Sequence, residues 1–342
     1  MRNLVITTIT FIILSFSAQS QDVLIYSDDG TWEDGIIALE HFFDYQNVTH
    51  IRLYAADLNA DTWNKEALSI VFPGGYAYNY QLAISLDAVD EIRSYVANGG
   101  GFIGICAGAY FASKAVAWEN EIYPYELALF DGMTFGSLKY IAPWPNYSMT
   151  GITINKNNPI GKDEPVKNSV LYYGGPIFKP NVGVEVDTIA TWDTAENTLA
   201  IINFEYEKGK VLLIGPHLEI EESDDRDGTE FAAELDDVES DWGLLENGFK
   251  WLTNKTQTSV EVNYYNREIY IYPNPLNDYI YLEVSSSVGY NGYNIYNIHG
   301  ENVETSNNAS LKIDITGLIS GSYILEITTE SGKVNRQKFI KE

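Results

Sequence analysis

One cysteine stands in the whole 342-residue chain, and its neighbours make it a candidate nucleophile. Cys106 follows the apolar run Phe102-Ile103-Gly104-Ile105 and precedes Ala107-Gly108-Ala109-Tyr110, so Gly104 and Gly108 flank it at −2 and +2. This is the spacing of a nucleophile elbow: a strand ends, the backbone turns sharply, and a helix starts at about Ala107. Small flanking residues let neighbouring backbone approach a strained residue. A thiol there points into open space at the carboxyl end of a strand. A helix N-terminus behind it favours negative charge, and the amide N–H of Ala107 is offered to an oxyanion. The other fate of a free cysteine is a buried structural thiol. A single cysteine can form neither an internal disulfide nor a cysteine zinc site. The reading includes no metal and no cofactor.

Two further segments complete the chemistry. Pro73-Gly74-Gly75 follows a strand ending at Phe72, so Gly74 would line a pocket and the N–H of Gly75 would be a second oxyanion donor. Gly215-Pro216-His217-Leu218-Glu219 follows the apolar run Val211-Leu212-Leu213-Ile214. With a spacing of two, Glu219 can orient the imidazole of His217 while that ring faces the thiol. Tyr110 beside the elbow, Tyr76 and Tyr78 beside the glycine pair, and Tyr173-Gly174 in a glycine-rich loop are pocket candidates. Each tyrosine is a weak signal in a chain that holds 25 of them. Asp28-Asp29-Gly30-Thr31, with Trp32 as a wall, could line the same edge, but a turn and helix N-cap is the favoured reading.

The elements that must position these residues alternate between strand and helix. Val23–Tyr26, Ile51–Tyr54 and Ala67–Phe72 read as strands, as do Phe102–Ile105, Ser169–Leu171, Thr198–Asn203 and Val211–Ile214. Asp34–Phe43 carries an apolar stripe at helical spacing, and Leu86–Asn98 reads as a helix stopped by Gly99-Gly100-Gly101. Strands that are apolar without alternation predict an α/β fold whose mostly parallel sheet is covered on both faces by helices. Cys106, His217 and Glu219 each fall just past a strand, at the edge where open α/β sheets place their sites.

The Gly-x-Cys-x-Gly elbow, the Pro-Gly-Gly loop and the His-x-Glu pair, in that order, resemble the class I glutamine amidotransferase-like superfamily. Within it, Phe72-Pro73-Gly74-Gly75, Gly104-Ile105-Cys106-Ala107-Gly108-Ala109-Tyr110 and Gly215-Pro216-His217-Leu218-Glu219 are similar to the biotin–protein ligase N-terminal-like domain. The resemblance spans residues 22–252. It implies a flavodoxin-like fold and a Cys-His-Glu triad, which maps onto Cys106, His217 and Glu219. The biotin-adenylating catalytic domain of the ligase is not legible in this sequence, and neither is a synthase domain that would accept ammonia. The expected activity is therefore cysteine-dependent hydrolysis of a C–N bond in a small amide or a peptide. The alternative is an inactive surface ligand-binding module on the same fold.

From about Arg267 the pattern changes to short strands with period-two alternation, separated by Ser, Gly and Asn: a small C-terminal all-β sandwich. Ile271-Tyr272-Pro273-Asn274-Pro275, Tyr293–Gly300, Ile315–Leu325 and the tail Lys333–Lys341 are similar, in that order, to the type IX secretion C-terminal sorting domain. That resemblance covers residues 268–342 and implies the type IX secretion machinery as a partner. Residues 1–21 read as a signal peptide, with Arg2, an apolar stretch Leu4–Phe16 and the cleavage-site pattern Ala18-Gln19-Ser20. A polar linker is expected at 253–267. The expected route is through the periplasm to the cell surface or medium, with no transmembrane anchor after signal cleavage.

The formal net charge is −27. A chain so acidic lacks the clustered Lys and Arg that phosphate recognition needs, which argues against nucleic-acid binding. It also disfavours adsorption to anionic membranes. Residues 219–241 alone hold 12 acidic side chains against Arg226. The expectation there is a solvated acidic insertion, beginning at the triad and able to act as a lid against anionic substrates.

Overall fold

A computed structural model describes residues 23–194, 198–221, 225–235, 240–253, 269–272, 276–284, 289–297, 300–329 and 334–341. The signal-peptide segment and nearly all of the linker at 253–267 lie outside the described residues. The chain opens with β1 (Val23–Tyr26), α1 (Glu33–Tyr45), β2 (His50–Leu53), α2 (Ala55–Asn59) and β3 (Ser69–Phe72). Two helices follow, α3 (Ala77–Ala83) and α4 (Leu86–Ala97), then β4 (Gly101–Ile105) and the short α5 (Ala107–Phe111). Seven strands come next: β5 (Ser113–Trp118), β6 (Glu121–Pro124), β7 (Phe130–Gly136), β8 (Ser148–Ile154), β9 (Lys167–Tyr172), β10 (Ile177–Pro180) and β11 (Asp187–Trp192). The hairpin β12 (Leu199–Tyr206) and β13 (Gly209–Ile214) precedes α6 (Trp242–Thr253).

β2, β1, β3, β4 and β13 lie side by side and parallel. Their residues alternate between two cores. Leu24, Ile70, Phe72, Phe102 and Leu213 join the side packed with α3 and α4. Val23, Ile25, Val71, Ile103, Ile105 and Ile214 join the side that holds Ile36 and Phe43 of α1 and Leu245 and Phe249 of α6. A strand buried on both faces needs apolar residues at every position, which is why these runs show no alternation. From β13 the sheet continues antiparallel through β12, β10 and β7, then β5 joins β7 in parallel and β6 closes the edge antiparallel, while β11, β8 and β9 branch from β12. Sequence reading assigns no strand between residues 113 and 166, yet β5 to β8 lie there. β6 is exposed and the others are part-buried, and β7 and β8 carry Gly and Thr, so these strands lack the apolar runs that mark the parallel strands.

The C-terminal residues form two antiparallel sheets, one of three strands and one of four. Ile280, Ile295, Ile313, Leu325, Ile327 and Phe339 share one buried core between them, as the period-two pattern predicts.

Candidate active site

Cys106 caps α5 with φ 47° and ψ −102°. A non-glycine residue at positive φ costs about 1–3 kcal/mol and persists only where its surroundings hold it. Here its own N–H donates to Ile214 O at 2.9 Å, and the Gly108 N–H donates to Pro73 O at 3.0 Å. These two bonds tie the elbow to the ends of β13 and β3. Close approach explains the flanking glycines. A Cβ at residue 108 would lie 1.9 Å from Phe72 O, and one at 104 would lie 2.7 Å from the backbone of Gly108.

His217 reaches the elbow from the segment after β13. Its backbone N–H donates to Leu171 O at 3.0 Å, which pins this segment to β9. The imidazole Nδ1 is 2.8 Å from Glu219 Oε1, so Nδ1–H donates to that carboxylate. The two side chains are 1% and 0% exposed. Trp32 stands edge-on to the imidazole, with ring centroids 4.9 Å apart. The Trp242 indole N–H donates to Glu219 O at 2.9 Å.

Burial alone would lower the pKa of His217. The Glu219 carboxylate and then Cys106 outweigh that effect and push it up to about 10. Both neighbours thus favour the protonated ring. Cys106 raises this pKa both by charge and by a side-chain hydrogen-bond interaction with the ring, although Nε2 meets no partner at full hydrogen-bond geometry among the described residues. The thiol donates instead to Tyr173 O at 3.4 Å. Nε2 is thus a buried ring nitrogen beside the one thiol of the chain.

The other predicted residues sit as follows. Gly74 gives room to the imidazole. Gly75 and Gly174 line the same cavity as Cys106 and Tyr110. Neither Gly75 N–H nor Ala107 N–H donates to an acceptor among the described residues. The Tyr110 hydroxyl donates to Gly174 O at 3.0 Å, and burial pushes its phenol pKa up. Tyr173 is not among the residues lining the cavity; its ring lies between Trp144 and His217, stacked on the former.

Two expectations are corrected. Asp28–Thr31 makes the expected turn, with Thr31 N–H donating to Asp28 O at 3.0 Å, but no side chain caps α1 at Trp32; the Asp28 carboxylate accepts from Asp29 N–H at 2.7 Å and from Ala55 N–H, at the start of α2, at 2.8 Å. Residues 219–241 are not simply a solvated insertion, because Glu219, Glu221, Asp227 and Asp241 are buried. Asp227 accepts from the N–H groups of Glu221 and Thr229, and Asp241 accepts from Asn168 Nδ2. Asp227 braces its own turn and Asp241 is tied to β9, and Phe231 packs edge-on against Trp32, 4.6 Å between ring centroids.

Sequence reading misses Val116, Trp118, Tyr123, Tyr125 and Trp144, all of which line the cavity with Cys106. They come from β5, β6 and the turn before Pro145, remote from the motif-bearing loops. Their only sequence signal is aromatic abundance. Among the described residues, no group of three or more His, Cys, Asp or Glu side chains is arranged to hold a metal ion. No helix among them is long and apolar enough to cross a membrane.

The α/β sheet thus carries a cysteine elbow and a buried His-Glu pair at its carboxyl edge. Residues 21–259 match the family model "Biotin-protein ligase, N terminal", and the chain belongs to that family. Residues 270–342 match the secretion system C-terminal sorting domain, which directs a protein to the cell surface or exterior. An uncharacterized protein of Chlamydia muridarum is 29% identical over 164 residues, covering 46% of this chain and 62% of its own. The biotin–protein ligase of Schizosaccharomyces pombe is 26% identical over 217 residues, covering 58% of this chain but only 33% of its own length. Among solved structures, a glutamine amidotransferase is similar at 16% identity and TM-score 0.43, covering 68% of this chain and 98% of that one. A putative ThuA-like protein from Bacteroides uniformis is similar at 17% identity and TM-score 0.44, covering 70% and 94%.

Proposed function

We propose that this exported protein is a cysteine-dependent hydrolase of C–N bonds in a small amide or a peptide. The observation that carries the reading is the buried Nε2 of His217, held by Glu219 beside a cysteine whose backbone is forced to positive φ. In the reacting form the Cys106 proton already rests on His217 Nε2, and the thiolate Sγ bonds to the substrate carbonyl carbon. The N–H groups of Ala107 and Gly75 stabilise the oxyanion. The C–N bond then breaks, and the same proton passes to the leaving amine. Water adds to the thioester carbon and gives one proton to Nε2; the C–S bond then breaks, the carboxylic acid leaves, and the thiolate facing protonated His217 is restored. The high proton affinity of His217 suits it to hold the proton between these steps.

One observation favours the alternative of an inactive binding module: the thiol hydrogen bonds to Tyr173 O rather than to Nε2. Incubating wild type and Cys106→Ala with peptide and amide libraries separates the two. Products formed by wild type alone are expected. Equal inactivity with retained ligand binding would establish the binding module.

A further inference from the structure

The cavity above Cys106 has a volume of about 480 Å³, within the range of small-molecule sites. Tyr76, Tyr110, Trp118, Tyr123, Tyr125 and Trp144 form most of its wall, and no Asp, Glu, Lys, Arg or His is among its lining residues. The rings brace one another without a ligand. Trp118 is edge-on to Tyr110 and to Trp144, at 5.7 and 6.2 Å between centroids. Trp144 stacks on Tyr173 at 5.0 Å and meets Tyr76 edge-on at 5.8 Å. The Tyr110 hydroxyl is already committed to Gly174 O.

This lining selects a substrate class. Free glutamine carries an ammonium and a carboxylate, and taking either out of water without a partner costs several kcal/mol. A rigid aromatic box instead rewards ring-on-ring contact and the burial of apolar area. We infer that the Cys106 site takes a substrate whose group next to the scissile carbonyl is uncharged and aromatic or bulky and apolar, and that it excludes free glutamine. The inference rests on the hydrolase reading given above, and it can fail independently of it.

The test is the rate at which the full chain is alkylated at Cys106 by acetyl-phenylalanyl, acetyl-aspartyl and acetyl-lysyl chloromethyl ketones, followed by intact mass and normalised to iodoacetamide. In each reaction the sulfur–carbon bond forms as chloride leaves. The phenylalanyl reagent is expected to react at least about tenfold faster than either charged one, a ratio that corresponds to about 1.4 kcal/mol. The ratio should fall in Trp144→Leu and in Tyr76→Ser, the latter at a side chain 58% exposed and so safe for folding. Equal rates, or faster reaction of a charged reagent, overturn the inference while leaving Cys106 a nucleophile. Should no reagent label Cys106, the nucleophile reading fails, and the pocket is judged on Cys106→Ala by thermal shift. A rise in melting temperature with N-acetyl-phenylalaninamide and none with glutamine supports the inference; the reverse, or no shift with either, overturns it.

Discussion

A Cβ on Gly74 would stand 2.5 Å from Cε1 of His217: the imidazole occupies the space that any other residue at position 74 would fill. The glycine pair after β3 therefore serves the histidine as well as the turn. Gly74→Ala is expected to push the imidazole off Glu219 and away from the elbow. The fold should survive, because the ring can swing, while turnover should fall at least about a hundredfold, as displacement of a positioned catalytic group commonly does. Circular dichroism alongside the library assay checks both halves. Full turnover in Gly74→Ala would mean that His217 is not needed where it now stands.

The buried His217–Glu219 pair predicts a pH dependence of stability. The folded-state pKa is raised to about 10, above the ordinary value of about 6.5. The folded protein then binds a proton that the unfolded chain releases. This contribution is fully present below about pH 6.5, declines as pH rises, and is lost through about pH 10. Glu219→Gln removes the carboxylate that raises the pKa, so burial dominates and the slope should flatten. Urea unfolding of both proteins at intervals from pH 6 to 10.5 measures it. Parallel curves would show that the imidazole is not held charged.

Gly108→Ala bears on the elbow itself. The new methyl would meet Phe72 O at 1.9 Å, and backbone cannot yield as a side-chain tip can. A loss of about 1–3 kcal/mol is expected, the usual range for overpacking, read as a lower urea midpoint at unchanged slope. A neutral outcome would mean that β3 and α5 are free to separate.

The acids of residues 219–241 are expected to behave as structural groups. Asp227→Ala leaves the N–H groups of Glu221 and Thr229 without their carboxylate partner. Orphaned donors cost about 1–3 kcal/mol each. The expected result is faster amide exchange or proteolysis around Phe231. Unchanged protection would restore the picture of a merely solvated segment.

The C-terminal sandwich predicts localisation. Removing residues 268–342 is expected to leave the protein inside the outer membrane with its α/β domain folded, as read by cell fractionation. Export at the full-length level would show that the sorting determinant lies elsewhere.

Local sterics are written in neighbouring residues, and that is what the sequence alone determined. Val211-Leu212-Leu213-Ile214 must be a doubly buried strand, because every position is apolar. Gly-x-Cys-x-Gly must be a tight strand-to-helix turn, because only glycine admits the backbone of Phe72 and of its own elbow. The two-residue spacing from His217 to Glu219 already implied one orienting the other. The tertiary structure decided what lies around them. Trp118, Tyr125 and Trp144 become one wall only because β5, β6 and the turn before Pro145 cross the sheet end above Cys106, and no local rule fixes that crossing. The same holds for the acidic segment. Whether Asp241 faces water or the buried Asn168 amide depends on where β9 lies, and composition carries no trace of that choice.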